Sequence, residues 1–191
     1  DTTRATALTT QNGVLVKTGA LTRRYLGTIR GSALNQTEDS FAKRFVWNYY
    51  NRAVRPMRVI EGTNAWTYSS ATWRQANDST ANQLDFVVGV SEDAVSAEVV
   101  TAAENTNVNV NFVVAIGLDG TTPSTVSLRP IGRSYIANAP VPLSAAWKGF
   151  PGIGRHYLTW LEYSGATLTT SWYGDDGGTV VQTGIHGEVW G

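Results

Sequence analysis

Short segments in which apolar and polar residues alternate recur along nearly the whole chain of 191 residues. A period of two is typical of half-buried β-strands, because successive side chains of a strand point to opposite faces of a sheet. Two clear examples are residues 24–30 and residues 94–102, where Val95, Ala97 and Val99 alternate with their neighbours. The repeated amphipathic helices that a dinucleotide-binding fold or an α/β barrel requires do not occur in this pattern.

Roughly ten such segments separated by short connections predict an all-β fold. The pattern favours an antiparallel β-sandwich, jelly-roll-like, with at most one short helix. We expect residues 1–12, which are polar and rich in threonine, to form a linker or N-terminal arm, and residues 13–191 to form a single β-sandwich domain. Because the first residue is Asp1 rather than Met, we expect a processed product or a piece of something longer.

Two regions fit a simple strand less well. In residues 38–52, Phe41, Phe45 and Tyr49 follow at helical spacing after a possible capping residue, although aromatic residues also favour strands. We expect a short helix or helical turn followed by a strand there. Residues 138–154 are rich in proline and glycine, so we expect a long ordered loop or crossover connection rather than a strand.

Tryptophan and tyrosine concentrate in two regions that we predict to be hairpins, residues 65–75 and residues 155–173. Aromatic rings stack on sugar faces and bury a large area at low entropic cost, which is why binding surfaces use them. The same rings also pack the cores of β-sandwiches, so both roles stay open for each of them. The ligand-binding residues that we predict are Trp66, Tyr68, Trp73, Trp172, Tyr173 and Asp175.

Residues with catalytic chemistry form no recognisable motif. No G-x-S-x-G motif accompanies the two histidines, His156 and His186, and we expect both to be surface or core-edge imidazoles. Asp175 and Asp176 lie in a glycine-rich turn that favours aspartate for backbone reasons, and their spacing is not that of an EF-hand. We therefore predict no enzyme, no catalytic residue, no metal site and no cofactor.

The charge composition argues against two classes of partner, nucleic acid and membranes. Acidic and basic residues number 15 each, so the net charge of zero gives no long-range attraction to nucleic acid or to an anionic membrane. No apolar run approaches the ~18 residues of a membrane span. The chain also has no cysteine for disulfides or thiolate metal sites. We therefore predict neither nucleic acid nor a membrane as a partner.

Arginine greatly outnumbers lysine, and four arginines surround the aromatic stretch of residues 47–50. Arginine beside aromatic rings is a common composition of protein interfaces. Ion pairs with Glu38, Asp39 or Glu61 are the alternative role for these side chains. The four arginines are Arg44, Arg52, Arg55 and Arg58.

Several stretches resemble a module found at the C-terminal ends of phage tail-fibre and other virion fibre proteins. The resemblance runs from about residue 13 to the end of the chain. We know of no established catalytic or binding motif in this family, so no functional residue is transferred from it. The stretches are residues 25–30 (YLGTIR), 37–40 (TEDS), 43–52 (KRFVWNYYNR), 73–77 (WRQAN), 154–157 (GRHY) and 172–175 (WYGD).

The resemblance implies a receptor-binding C-terminal domain of a phage or phage-like particle fibre that recognises host cell-surface polysaccharide. It also implies a homotrimer, contacts with other virion proteins, and a location in the virion, extracellular when acting. Two alternatives stay open. One is a purely structural virion domain for fibre trimerisation, capping or capsid decoration without a host ligand. The other is a polysaccharide-degrading tailspike domain, which would need a carboxylate pair in a groove.

Overall fold

A computed structural model describes residues 6–165, 169–178 and 181–191. Within these residues the chain forms β-strands, two short 3-10 turns and no α-helix. The strands are β1 (Leu8–Gln11), β2 (Val14–Lys17), β3 (Ala20–Arg24), β4 (Gly27–Ile29), β5 (Lys43–Arg44), β6 (Val46–Asn48), β7 (Val54–Ile60), β8 (Ala65–Tyr68), β9 (Arg74–Gln75), β10 (Gln83–Val88), β11 (Val95–Asn105), β12 (Asn111–Leu118), β13 (Ile131–Arg133), β14 (Val141–Gly149), β15 (Gly154–Ser164), β16 (Thr170–Tyr173) and β17 (Gly184–Trp190). The 3-10 turns are Ala76–Asp78 and Asp176–Gly178.

Two six-stranded sheets form the body of the molecule. Sheet I has the strand order β13-β12-β15-β10-β5, and β9 also pairs with β15. Sheet II has the order β7-β17-β11-β16-β8, and β14 also pairs with β11. The chain moves repeatedly between them, since β10, β12 and β15 lie in sheet I while β11, β14 and β16 lie in sheet II. These sheets confirm the predicted all-β sandwich, and the pairing of β5 with β10 is parallel whereas their other pairings are antiparallel.

The core lies between the inner faces of sheets I and II. Along β11, Val95, Ala97, Val99 and Ala103 are buried, whereas Glu98 is exposed, as the alternating pattern predicts. The largest fully buried apolar side chains of this core come from both sheets, which shows that the sheets pack against each other. They are Leu84, Phe86, Phe112, Ile116, Leu158, Trp160, Trp172 and Ile185.

A second, smaller apolar cluster joins the N-terminal part of the chain to sheet I. Strands β1, β2 and β3 form a three-stranded sheet, here called the N-terminal sheet, and β4 pairs with β6. Residues 8–11, within the predicted linker or arm, are thus a paired strand. Tyr25, Phe45 and Trp47 pack with Val87 of β10. A Cβ added to Gly89 would lie 2.1 Å from the Trp47 ring, so the close approach of this ring requires glycine.

The prediction of a helix or helical turn in residues 38–52 is wrong. The segment contains β5 and β6, and Phe45 and Trp47 are buried at 3% and 1% exposure. Phe41, which the helical spacing would have placed on the same buried face, is 55% exposed. The period-two alternation of the aromatic residues therefore predicts the secondary structure of this segment correctly, in agreement with their preference for strands.

The prediction of a loop in residues 138–154 is also wrong, because β14 occupies nine of these residues and pairs with β11. Leu143, Ala145 and Trp147 are buried while the residues between them are exposed. Pro142 fits in this strand because β14 pairs with a named strand on one side only, and an edge strand tolerates a missing backbone N–H.

Both predicted aromatic hairpins are wrong. Strand β8 lies in sheet II and β9 in sheet I, while β15 lies in sheet I and β16 in sheet II. In each case the chain crosses from one sheet to the other instead of pairing with itself. Between β12 and β14, Leu128 forms an isolated bridge with Ala146, and the intervening strand is β13. Residues 179–181 also fit a strand by their sequence, and of these residues 179 and 180 lie outside the described residues.

Candidate functional site

The two crossings bring most of the predicted ligand-binding residues to one corner of the sandwich. Strand β8 pairs with β16, which places Trp66 opposite Trp172 and Tyr68 opposite Thr170. Strand β9 pairs with β15 in the facing sheet, and Trp73 directly precedes β9. The backbone N–H of Ser164 donates to the carbonyl of Ser70 at 3.3 Å, which links the two crossings.

Two of the predicted residues belong to the core, and the prediction of a ligand contact is wrong for them. Trp172 is fully buried and Trp66 is 8% exposed. The Trp66 ring packs edge-on against Trp160, with centroids 5.8 Å apart, and the Trp172 ring packs edge-on against Phe112 at 6.3 Å. Each of these pairs joins sheet I to sheet II, so both tryptophans serve sheet packing.

Four partly exposed side chains at this corner form what we call the aromatic platform: Tyr68, Trp73, Arg74 and Tyr163. The Trp73 and Tyr163 rings lie 5.2 Å apart at an angle of 45°. The Arg74 guanidinium carbon lies 3.9 Å from the centroid of the Tyr68 ring, which is a close cation–π contact. The predicted ligand-binding residues include Tyr68 and Trp73 but not Arg74 or Tyr163. Tyr163 meets Trp73 through the pairing of β9 with β15, and Arg74 meets Tyr68 across the two sheets.

The buried carboxylate of Glu162 fixes Arg74 of the platform. Glu162 has no exposed surface, and its two oxygens accept hydrogen bonds from Trp66 Nε1 and Arg74 Nε, each at 2.6 Å. Burial raises the pKa of the Glu162 carboxyl, and the hydrogen bonds and charge of Trp66 and Arg74 offset part of that rise. Because Arg74 is held at Nε, the stack of its guanidinium on Tyr68 has a defined orientation.

Tyr173 and Asp175 take part in other contacts. The half-buried Tyr173 has a raised pKa, caused by burial and by its hydrogen bond to Glu104. The Asp175 backbone N–H donates to the carbonyl of Glu61 at 3.0 Å, and its Oδ1 accepts from the Gly177 N–H at 3.1 Å. Asp175 therefore has the backbone role that its turn predicts.

Glu61 is the centre of a polar network next to this turn. Its carboxylate accepts hydrogen bonds from Asn82 Nδ2 at 2.5 Å and from the Thr63 backbone N–H at 2.9 Å. Burial alone would raise the pKa of Glu61, but the hydrogen bonds from Asn82, Thr63 and Asn77 together outweigh it and lower the pKa. Among the described residues no group of three or more histidine, aspartate or glutamate side chains is arranged to hold a metal ion.

The histidines and the arginines near the aromatic stretch have local partners. His156 is 4% exposed and its Nδ1 lies 2.8 Å from Asp119 Oδ2, at the edge of the core. His186 is exposed, with its Nε2 3.8 Å from a Glu98 oxygen. Of the arginines, Arg44 and Arg55 form ion pairs with Asp39, Arg52 pairs with Asp93, and Arg58 lies over the Phe41 ring. The pairing of Arg44 and Arg55 with Asp39 therefore confirms ion pairing as a role of these two arginines.

Comparisons with known proteins do not assign a family. No family model and no curated protein matches this chain. Two solved structures show weak similarity, each at 9% identity. An aminopeptidase from the marine sediment archaeon Thaumarchaeota archaeon has a TM-score of 0.37, over 83% of this chain and 39% of that one. The infectious bursal disease virus Gx strain structure has a TM-score of 0.19, over 96% of this chain and 48% of that one.

This chain therefore spans less than half the length of either matched structure. In the part of the chain that the structure describes, no helix has the length and apolar character to cross a membrane. A function for this chain is therefore inferred from the geometry of the site and not from these two structures.

Proposed function

We propose that this chain is a non-enzymatic, glycan-binding β-sandwich that recognises host cell-surface polysaccharide. The observation that carries this proposal is the aromatic platform, in which Trp73, Tyr163 and the stacked pair Tyr68–Arg74 remain partly exposed at one corner. Sugar rings have apolar C–H faces that stack on aromatic rings, and their hydroxyls accept hydrogen bonds from arginine.

The supports beneath the platform favour ligand binding as its role. Its members lie on or beside β8, β9 and β15, and the fully buried Glu162 fixes Arg74. Because Arg74 is already held by this hydrogen bond, a ligand that contacts it costs little conformational entropy of that side chain. Binding sites built on strands with a supporting layer of hydrogen bonds are more defined than sites on loops.

The sequence resemblance to virion fibre proteins supports a place for this domain at the end of a phage or phage-like fibre. In that setting a homotrimer presents three copies of the platform to one cell surface. Three weak sites on one particle gain strongly from effective concentration, so each of them needs only low affinity. The ligand is then a repetitive polysaccharide, and other virion proteins are the remaining partners.

A second candidate function, assembly within the virion without a host ligand, is favoured by a run of exposed apolar side chains. These residues lie between residues 126 and 136, around the edge strands β13 and β14, and each is at least half exposed. Exposed apolar patches of this kind mark protein–protein contacts. They are Val126, Leu128, Ile131, Tyr135 and Ile136.

The aromatic platform is tested by comparing W73A with W190A on an array of bacterial surface polysaccharides. Trp190 is 43% exposed and lies on β17, outside the platform, so its substitution controls for the loss of a partly exposed tryptophan. We expect wild type and W190A to bind one class of polysaccharide and W73A to lose at least about tenfold in affinity. Equal binding by W73A, or no binding by the wild type, would contradict the proposal.

A further inference from the structure

A second surface, remote in sequence from the aromatic platform, has the form of a binding cleft. It lies between the N-terminal sheet, the segment of residues 25–31, and the facing ends of β10 and β15. Its volume is about 760 Å³, within the range of roughly 300–1,000 Å³ that is typical of ligand sites. It is open to solvent along the chain segment that contains the 69% exposed Leu26 and Ile29.

The residues that line this cleft carry one sign of charge. Five basic residues line it, and none of the acidic residues in the described part of the chain does. A cleft lined by a single sign of charge concentrates the field and attracts ligands of the opposite sign. The five residues, here called the basic cleft residues, are Lys17, Arg23, Arg24, Arg30 and Arg155.

Four of the five basic cleft residues have no carboxylate partner among the described residues. Arg155 forms a two-point ion pair with Asp85, through Nε at 2.8 Å and Nη2 at 2.6 Å. Lys17, Arg23 and Arg24 have no ion pair within the described part of the chain, and all three are exposed. The cleft therefore carries positive charge that no carboxylate of the described residues neutralises.

Arg30 gives the cleft a more buried cation. Its guanidinium lies 5.5 Å from the centroid of the Phe45 ring, which limits the orientations open to it. Its Nε atom is buried and has no hydrogen-bond partner among the described residues. The charge of Arg30, held beside the Phe45 ring, therefore adds to the positive charge of the cleft.

We propose that this cleft binds an acidic polysaccharide, through carboxylate or sulfate groups repeated along an extended glycan. The basic cleft residues come from four separate segments of the chain, so a ligand that satisfies them together must carry several negative groups. The exposed Leu26 and Ile29 beside them offer apolar contact to the faces of the sugar rings.

Nucleic acid fits this cleft less well, although it is also a polyanion. Proteins that bind single strands stack bases on aromatic rings, and Tyr25, the aromatic residue among the described lining residues, is 8% exposed. The proposal stands independently of the aromatic platform, since the two sites share no residue.

The test uses the full chain in affinity gel electrophoresis and titration calorimetry, at low and at high salt. The probes are polygalacturonate, dextran sulfate, neutral dextran and a DNA oligonucleotide. We expect binding to polygalacturonate, to dextran sulfate or to both, which also identifies the anionic group, and none to neutral dextran. Binding should weaken as salt rises, because the contacting charges are exposed.

The matched variants remove equal charge from different places. R23Q/R24Q changes two exposed basic cleft residues, and R129Q/R133Q changes two exposed arginines that do not line the cleft. We expect R23Q/R24Q to weaken binding of the acidic polysaccharide about tenfold and R129Q/R133Q to leave it unchanged. W190A, which lies outside both the cleft and the aromatic platform, should also leave it unchanged. The aromatic platform is judged separately, by W73A on the polysaccharide array.

Three results would overturn the proposal. The first is that neither acidic polysaccharide binds to the wild type at low salt. The second is equal loss of binding in R23Q/R24Q and R129Q/R133Q, which would show an effect of total charge alone. The third is DNA binding as strong as that of the acidic polysaccharides, which would assign the cleft to a different class of polymer.

Discussion

Trp66 donates its indole N–H to the Glu162 carboxylate at 2.6 Å, although the two residues are 96 positions apart and lie on different sheets. The bond lies at the corner where the chain crosses from β8 in sheet II to β9 in sheet I. Arg74 uses the second oxygen of the same carboxylate. One acidic side chain therefore holds a core tryptophan and a surface arginine in fixed positions.

Replacing this carboxylate should destabilise the protein. The variant E162Q has one acceptor oxygen where two donors, Trp66 Nε1 and Arg74 Nε, each require one. Leaving one of these donors without an acceptor should lower the free energy of unfolding by about 1–3 kcal/mol. Urea unfolding measures this loss, and E98Q serves as the control because Glu98 is exposed. Equal unfolding midpoints for the two variants would refute the structural role of Glu162.

The stability contributed by Glu61 should depend on pH in a defined direction. Its pKa is lower in the folded protein than the ordinary value of 4.5, so folding favours the charged form. The contribution is therefore fully present above pH 4.5 and is lost as the pH falls from there through the lowered pKa.

Thermal unfolding of wild type and E61Q between about pH 7 and about pH 3 measures this contribution. We expect a constant difference in Tm near neutral pH and a smaller difference at the acidic end. A difference in Tm that stays the same over the whole range would show that Glu61 does not titrate differently in the folded and unfolded states.

Gly89 should not tolerate a side chain. Its Cβ would lie 2.1 Å from the Trp47 ring, which is buried and whose Nε1 donates to Asp93 Oδ2 at 3.0 Å. The hydrogen bond to Asp93 prevents the Trp47 ring from moving away from the added methyl group. G89A should therefore lower the free energy of unfolding by about 3 kcal/mol, at the upper end for overpacking. G62A is the control, since a Cβ at Gly62 meets nothing within 4 Å. Differential scanning calorimetry should show a large fall in Tm for G89A alone.

The native mass tests the second candidate function and the expected homotrimer. We expect light scattering to give three times the chain mass of 20.6 kDa, and L128D to lower the measured mass by placing a charge in the apolar run between residues 126 and 136. L34D is the control, because Leu34 is 88% exposed and lies outside that run. A wild type that remains monomeric at high concentration would reject assembly through this surface.

Local alternation was enough to predict the sandwich, but not how its strands connect. The alternation of Val95, Ala97 and Val99 with their neighbours is a property of neighbouring residues, and the structure confirms it. Strand β14 was missed because Pro142 is compatible with a strand only at a sheet edge, and edge position depends on distant residues. The two hairpins failed for the same reason, since a turn signal does not say which sheet the next strand joins.

The candidate sites differ in how much local signal they carry. Tyr68 and Trp73 were predicted from aromatic density, but the same density also selected the buried Trp66 and Trp172. The basic cleft residues gave no signal, because Arg155 lies far along the chain from Arg23, Arg24 and Arg30. Sequence proximity therefore detects rings that are close together along the chain and misses charges that meet only after folding.

The position of β17 has a consequence for the order of folding. This strand lies between β7 and β11 in sheet II, although β7 ends at Ile60 and β17 begins at Gly184. During synthesis, the edges of β7 and β11 that face β17 must wait unpaired until more than half of the sequence has followed β7. Pairing over such separations slows folding, and open strand edges invite association with other chains. We therefore expect slow refolding and a need for dilute conditions or a chaperone before β17 has joined the sheet.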